Sequence, residues 1–142
     1  MQRVRHLLEA KGHGVHAIPP ESSVLEALRT MAREGIGALL VMQGPQLLGV
    51  VSERDYARKV ALMGRASADT PVREIMSTPA ITINPYDTVD ACMRLCTDSR
   101  VRHLPVLDGG KVVGIISIGD LVKAVIDDQA QQIEHLQRYI AG

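Results

Sequence analysis

Displaced by 65 positions, the chain lies on itself: residues 18–60 align with residues 83–125 without a gap, and eleven positions are identical. The identities include residue types that substitute poorly, such as Pro20 with Pro85, Gly49 with Gly114, Ser52 with Ser117 and Asp55 with Asp120. This duplication is the strongest constraint on the fold. Each copy must be one supersecondary unit, and a unit of about sixty residues is marginal alone, so the two must bury apolar surface against each other.

Both copies carry the same order of elements. A short extended piece ends at proline: His16-Ala17-Ile18 before Pro19-Pro20, and Ala80 to Ile83 before Pro85. A helix follows, with Ser22/Ser23 or Asp87/Thr88 as N-cap candidates and apolar residues at helical spacing (Val24, Leu28, Met31, Ala32; Val89, Cys92, Met93, Cys96). Next come two strands joined by a glycine turn: Ala38–Met42 and Leu47–Val51 around Gly44-Pro45, then His103–Leu107 and Val112–Ile116 around Asp108-Gly109-Gly110. A second helix starts at Ser52 or Ser117. The order predicts a mixed α/β (α+β) fold of two β-α-β-β-α units related by a pseudo-two-fold axis, their sheets packed face to face.

The division falls at residues 1–64, a first unit with an N-terminal helix over Val4–Leu8, and 65–142, a second unit with an extended C-terminal helix. Residues 64–70 are a small, polar connector, and Pro71 opens a short helix, Val72–Met76. The last helix, from Asp120 to Ile140, carries a stripe of Leu121, Val122, Val125, Ile126, Ile133, Leu136 and Ile140 that outruns one unit. The excess either packs within the chain or meets another subunit.

Sixteen Lys and Arg balance sixteen Asp and Glu, and three tyrosines are the only aromatic residues. A neutral chain without stacking platforms lacks the means to bind nucleic acid. No apolar stretch approaches the ~20 residues of a membrane span, and no signal-type segment follows Met1, so a cytoplasmic protein is expected. Cys92 and Cys96 lie one turn apart on an apolar helix face and read as core packing, not a redox pair or zinc ligands. The five histidines form no i, i+4 pair, and no metal site is expected.

The most informative segments are Gly49-Val-Val-Ser52-Glu-Arg-Asp55 and Gly114-Ile-Ile-Ser117-Ile-Gly-Asp120. Each sets a strand directly before a helix, with Asp three residues after Ser. One reading is a capping box, in which Ser caps the helix and the acid answers at the third position. The other uses the same geometry for a ligand: the free N–H groups and dipole of a helix N-terminus suit phosphate, and a carboxylate one turn on accepts from ribose hydroxyls.

In tandem at constant spacing, with the strand Leu104-Pro105-Val106 before the second, these motifs resemble a cystathionine beta-synthase (CBS) domain pair, or Bateman module, over residues 10–126. The resemblance implies a regulatory module, not an enzyme. It would sense AMP, ADP, ATP, S-adenosylmethionine or NAD in the cleft between units and signal energy state by changing shape or partner affinity. It implies phosphate contacts from Ser52 and Ser117, ribose contacts from Asp55 and Asp120, adenine contacts near His16-Ala17 and from Thr78 to Ile81, and places for Ala38 and Pro105 in the nucleotide site. Arg102 and His103, where the first copy has Gly37-Ala38, resemble positions directed at phosphate, and Gly119 leaves the helix start open to backbone approach.

The first copy offers Glu53-Arg54 with Arg58 and Lys59, and Arg54 is placed to reach a second phosphate, as in NAD. On this reading the second motif holds the fuller anion pocket. No cofactor is required beyond the nucleotide. A homodimer through the CBS faces and the C-terminal helix is expected, with the regulated protein on another chain. Two other readings fit the same residues: a structural adaptor whose motifs act only as caps, and a nucleotide hydrolase using the cleft.

Overall fold

The computed structural model describes residues 2–141. Helix α1 (Val4–Lys11) precedes the first unit, which comprises β1 (Ala17–Ile18), α2 (Val24–Glu34), β2 (Ala38–Gln43), β3 (Gln46–Ser52) and α3 (Glu53–Tyr56). A π-helical turn over Ala57–Ala61 and 3-10 turns over Ser67–Asp69 and Val72–Glu74 lead to the second unit. That unit contains α4 (Val89–Ser99), β4 (His103–Asp108), β5 (Lys111–Ser117) and α5 (Ile118–Ala141).

The local chemistry repeats with the sequence. Ser23 and Thr88 cap α2 and α4, their hydroxyls accepting from Glu26 N (3.1 Å) and Ala91 N (3.2 Å). The hairpins pair antiparallel in the same register, Ala38 with Ser52 and His103 with Ser117, each with a bulge one residue past its midpoint. Gly44 (φ 58°) and Gly109 (φ 58°) turn them.

The first strands differ. β1 pairs parallel with β2 through Ala17–Leu40 and Ile18–Val41, whereas the expected strand Ala80–Ile83 is reduced to one bridge, Ile83 with Val106. Proline is the reason. In the first copy Leu40 N donates to the His16 carbonyl (3.0 Å). The residue 65 positions on is Pro105, which has no N–H to give Ile81. The edge around Ile81 is therefore left free of the sheet.

The flanking segments cross over. Val4, Leu7 and Leu8 of α1 are buried with Ile83, Val89, Cys92, Leu104 and Ile116 of the second unit. Val72 and Ile75 are buried with Ile18, Val24, Met31 and Val51 of the first. Backbone bonds fix both seams: Val4 N to the Asp87 carbonyl (2.9 Å) and Val72 N to the Ser22 carbonyl (2.8 Å). Packing thus runs across residue 64 in both directions. Cys92 and Cys96 are buried free thiols, and burial raises the Cys92 pKa to about 11, which keeps it protonated and unreactive.

Each crossing segment passes over the motif glycine. A Cβ on Gly49 would stand 2.5 Å from the Ser77 carbonyl oxygen, and one on Gly114 2.5 Å from Leu8 Cδ2. The first obstacle is backbone in a two-way bond with Val50, and the second is the end of a side chain. Gly49→Ala should therefore cost about 2–3 kcal/mol, near the upper end for overpacking, and Gly114→Ala less. Urea melts of the two variants check the order, and equal losses would contradict it.

Candidate functional site

Both Ser-x-x-Asp motifs close as reciprocal caps. Ser52 N donates to Asp55 Oδ2 (2.9 Å) and Asp55 N donates to Ser52 Oγ (3.2 Å). Ser117 N to Asp120 Oδ2 (2.8 Å) and Asp120 N to Ser117 Oγ (3.2 Å) match them. The capping reading is correct as geometry, and each cap leaves one carboxylate oxygen outside the box. What surrounds that carboxylate differs between the copies.

At the first motif a cleft of about 510 Å³ opens between the units. From α3 and the turn after it come Ser52, Asp55 and the cations Arg54, Arg58 and Lys59. From the end of α4 and the start of β4 come Arg100, Arg102 and His103. Pro79, Ala80 and Ile81, the edge freed by Pro105, form an apolar side. The arrangement sets a carboxylate suited to paired hydroxyls among five cations suited to phosphate, beside a surface suited to a flat base.

The cations are held in place locally. The π-helical turn carries Lys59, whose Nζ donates to the Ile75 carbonyl (2.8 Å) and lies 3.3 Å from Asp55 Oδ1. Arg54 Nη1 reaches the Arg100 carbonyl (3.4 Å), tying one wall to the other. His103 is half-buried between the two motifs. Burial lowers its pKa, Lys11 and Arg102 push the same way, and Asp120 and Glu53 oppose them. Its imidazole is neutral at pH 7 and can donate or accept a hydrogen bond.

Of the residues singled out in the sequence, Ser52, Arg54, Asp55, Ile81, Arg102 and His103 meet in this cleft. Thr78 sits at its edge between Ser77 and Pro79, its hydroxyl donating to the Leu48 carbonyl (2.7 Å). Pro105 and Ala38 are buried strand residues, and His16 faces Glu34 at 3.7 Å, so none of the three lines the cleft. Ser117, Gly119 and Asp120 stand at the other motif. Against the expectation of a fuller anion pocket there, Arg102 lines the cleft at the first motif across the unit boundary, and His103 stands between the two motifs.

Arg100 escaped the sequence reading although it carried a signal. It ends α4 in the left-handed region (φ 56°), the position that Gly35 (φ 66°) holds 65 residues earlier at the end of α2. An arginine where the repeat has glycine is conformationally costly, and it stands on the cleft wall.

A duplicated β-α-β-β-α fold with paired Ser-x-x-Asp caps and a cleft between its units defines the class of module to which the chain belongs. The chain belongs to the CBS-domain family: the profile of the CBS domain matches it twice, over residues 11–62 and 72–127. A mitochondrial CBS domain-containing protein of Arabidopsis thaliana is 39% identical over 127 residues, covering 86% of this chain and 62% of that protein. The chain thus spans less than two thirds of that relative's length. A solved CBS-domain protein of Burkholderia ambifaria is 49% identical at a TM-score of 0.87, covering 90% of this chain and 96% of that one. A CBS domain protein of Pyrobaculum aerophilum, solved in complex with AMP, is 26% identical at a TM-score of 0.77, covering 92% and 99%. Among the described residues, no helix is long and apolar enough to cross a membrane.

The Arg100 backbone yields a prediction that separates stability from binding. Arg100→Gly should raise unfolding free energy by up to about 1 kcal/mol, since glycine adopts φ 56° without strain. For a nucleotide phosphate held in the cleft, the same variant should weaken binding about tenfold through loss of one charge-assisted contact. A denaturant melt and a calorimetric titration of one preparation read both, and a stability loss with full affinity would contradict the assignment.

Proposed function

We propose that this module binds an adenine nucleotide in the cleft at the first motif and reports its occupancy through a change in shape or partner affinity. The observation that carries the reading is the convergence on one 510 Å³ cleft of Asp55, five cations and the apolar Pro79–Ile81 edge. Asp55 takes the ribose hydroxyls, Arg102 and Arg54 take phosphate, and His103 donates a neutral hydrogen bond. The complex of the Pyrobaculum relative with AMP supports the ligand class. Because Arg54 and Arg100 extend the cation row beyond Arg102, the cleft suits AMP, ATP or NAD. The role is binding: Ser52 spends its proton on Asp55 Oδ2 (3.0 Å), so its hydroxyl serves the cap.

Calorimetric titration with AMP, ATP and NAD tests the site. Asp55→Asn keeps an oxygen for the cap and loses the charge, and should weaken binding about 10- to 100-fold with the fold retained. Unchanged affinity in that variant would remove Asp55 from the site. No binding of any of the three nucleotides to the parent chain would favour the adaptor reading.

The same reading includes a homodimer through α5. Ile126, Ile133 and Ile140 recur every seven residues and are 57%, 56% and 83% exposed, with Leu136 at 61% between them. Ile at one seam position and Leu at the next is the pattern that two-stranded helix pairs use. Light scattering should give twice the 15.4 kDa chain mass, falling to the monomer in Ile133→Glu. A parent chain that runs as a monomer would reject the pairing.

A further inference from the structure

The second motif is not vacant. Lys11 Nζ donates to Asp120 Oδ2 (2.6 Å), the oxygen that also accepts from Ser117 N, and to the Ile115 carbonyl (2.9 Å), across more than a hundred residues of chain. Two residues on, His13 Nδ1 lies 2.8 Å from the Val113 carbonyl, so the segment after α1 is strapped along β5. Burial raises the Asp120 pKa, but the Lys11 and Ser117 hydrogen bonds outweigh it and hold the carboxyl below its ordinary range.

The repeat shows what is special about Lys11. In the first unit the crossing segment runs from Met76, packed on Gly49, to Thr78, bonded to the Leu48 carbonyl. In the second it runs from Leu8, packed on Gly114, to His13, bonded to the Val113 carbonyl. The first path takes two residues and the second five. The extra length is the last turn of α1, and it delivers Lys11. Where Ser77 N meets the Val50 carbonyl (2.9 Å) in the first unit, the Lys11 ammonium meets the Ile115 carbonyl in the second.

The cations of the open cleft are missing here as well. At the positions matching Arg100, Arg102, Arg54 and Lys59, the repeat has Gly35, Gly37, Gly119 and Ala124. A phosphate would find Lys123, the partner of Arg58 in the repeat, and Lys11 itself, already engaged.

We propose that Lys11 is a built-in occupant of the second motif, its ammonium standing on Asp120 Oδ2 and the Ile115 carbonyl in place of a ligand, so that the pair binds one adenine ligand per chain. The inference rests on the nucleotide-binding reading of the cleft, and the experiment separates the two. Adenosine and AMP are titrated calorimetrically into the full chain, into Lys11→Met, which keeps the stem and removes the ammonium, and into Lys11→Met/Arg102→Ala. The parent should take one equivalent of either ligand. Lys11→Met should take two equivalents of adenosine, the second persisting when Arg102 is removed.

Two equivalents in the parent that fall to one in Lys11→Met would overturn the proposal and make Lys11 a ligand contact. One equivalent in both would also overturn it, leaving the cleft assignment intact. No binding in any form would reject the nucleotide reading and the occupancy proposal together. Carbon-13 NMR of the aspartate carboxyls supplies a ligand-free check. The Asp120 titration should move to higher pH in Lys11→Met, and an unmoved titration would reject the contact.

Discussion

The crossing of the two flanking segments is the interaction on which the rest of the structure depends. A β-α-β-β-α unit leaves part of its apolar surface open, and here each unit is completed by chain that belongs to neither repeat. Val72 and Ile75 fill the first core, and Val4, Leu7 and Leu8 fill the second. The glycines of the two motifs leave room for these segments to pass, Gly49 against the Ser77 carbonyl and Gly114 against the end of the Leu8 side chain. The route of each segment then decides what its neighbouring motif faces. The short route past Met76 leaves an apolar edge at Pro79–Ile81, and the longer route past Leu8 brings a lysine.

From that frame the two motifs diverge although their backbones agree. Identical caps, identical hairpin registers and matched bulges present Asp55 and Asp120 in the same way. The difference comes from side chains supplied by the opposite unit. β4 begins with Arg102-His103 and β2 with Gly37-Ala38, and Arg102, His103 and Gly37 all line the cleft at Asp55. Arg102, which belongs to the second copy in sequence, therefore lines the first motif's cleft in space. With Arg102, five cations line the cleft at Asp55, of which Lys59 pairs with it, while Asp120 is served by a single hydrogen-bonded ammonium.

This exchange also marks the limit of what the sequence discloses. The element order, the caps at Ser23 and Thr88, the hairpins and the Ser-x-x-Asp boxes are local, and propensity and periodicity reveal them. The cleft lining is half legible for the same reason, since Ser52, Arg54 and Asp55 are neighbours along the chain. Which unit lends Arg102, and where Lys11 lands, depend on contacts across 46 or more residues that no local pattern encodes. The weak first strand of the second unit was legible in principle. Pro105 stands where the repeat needs an N–H donor, and comparing copies residue by residue exposes it. Arg100 is the same kind of signal, an arginine at a left-handed position that its twin fills with glycine.

An unequal pair is well suited to signalling. A ligand shifts a conformational equilibrium only by the difference in its affinity for the two arrangements. In the open cleft it would touch α3 of one unit and the start of β4 of the other, so its contacts depend on how the units sit. The Arg102 carbonyl accepts from Ile118 N (2.9 Å), the first residue of α5. The Gly37 carbonyl likewise accepts from Glu53 N (3.0 Å) at the start of α3. One backbone bond therefore joins the arginine wall to the helix that carries the exposed seam. The closed motif stands at that same helix start, where Lys11 ties α1 to Asp120. With one end of α5 tied by the chain itself, ligand at the cleft would tilt a single lever, whereas two open sites would pull on it from both sides.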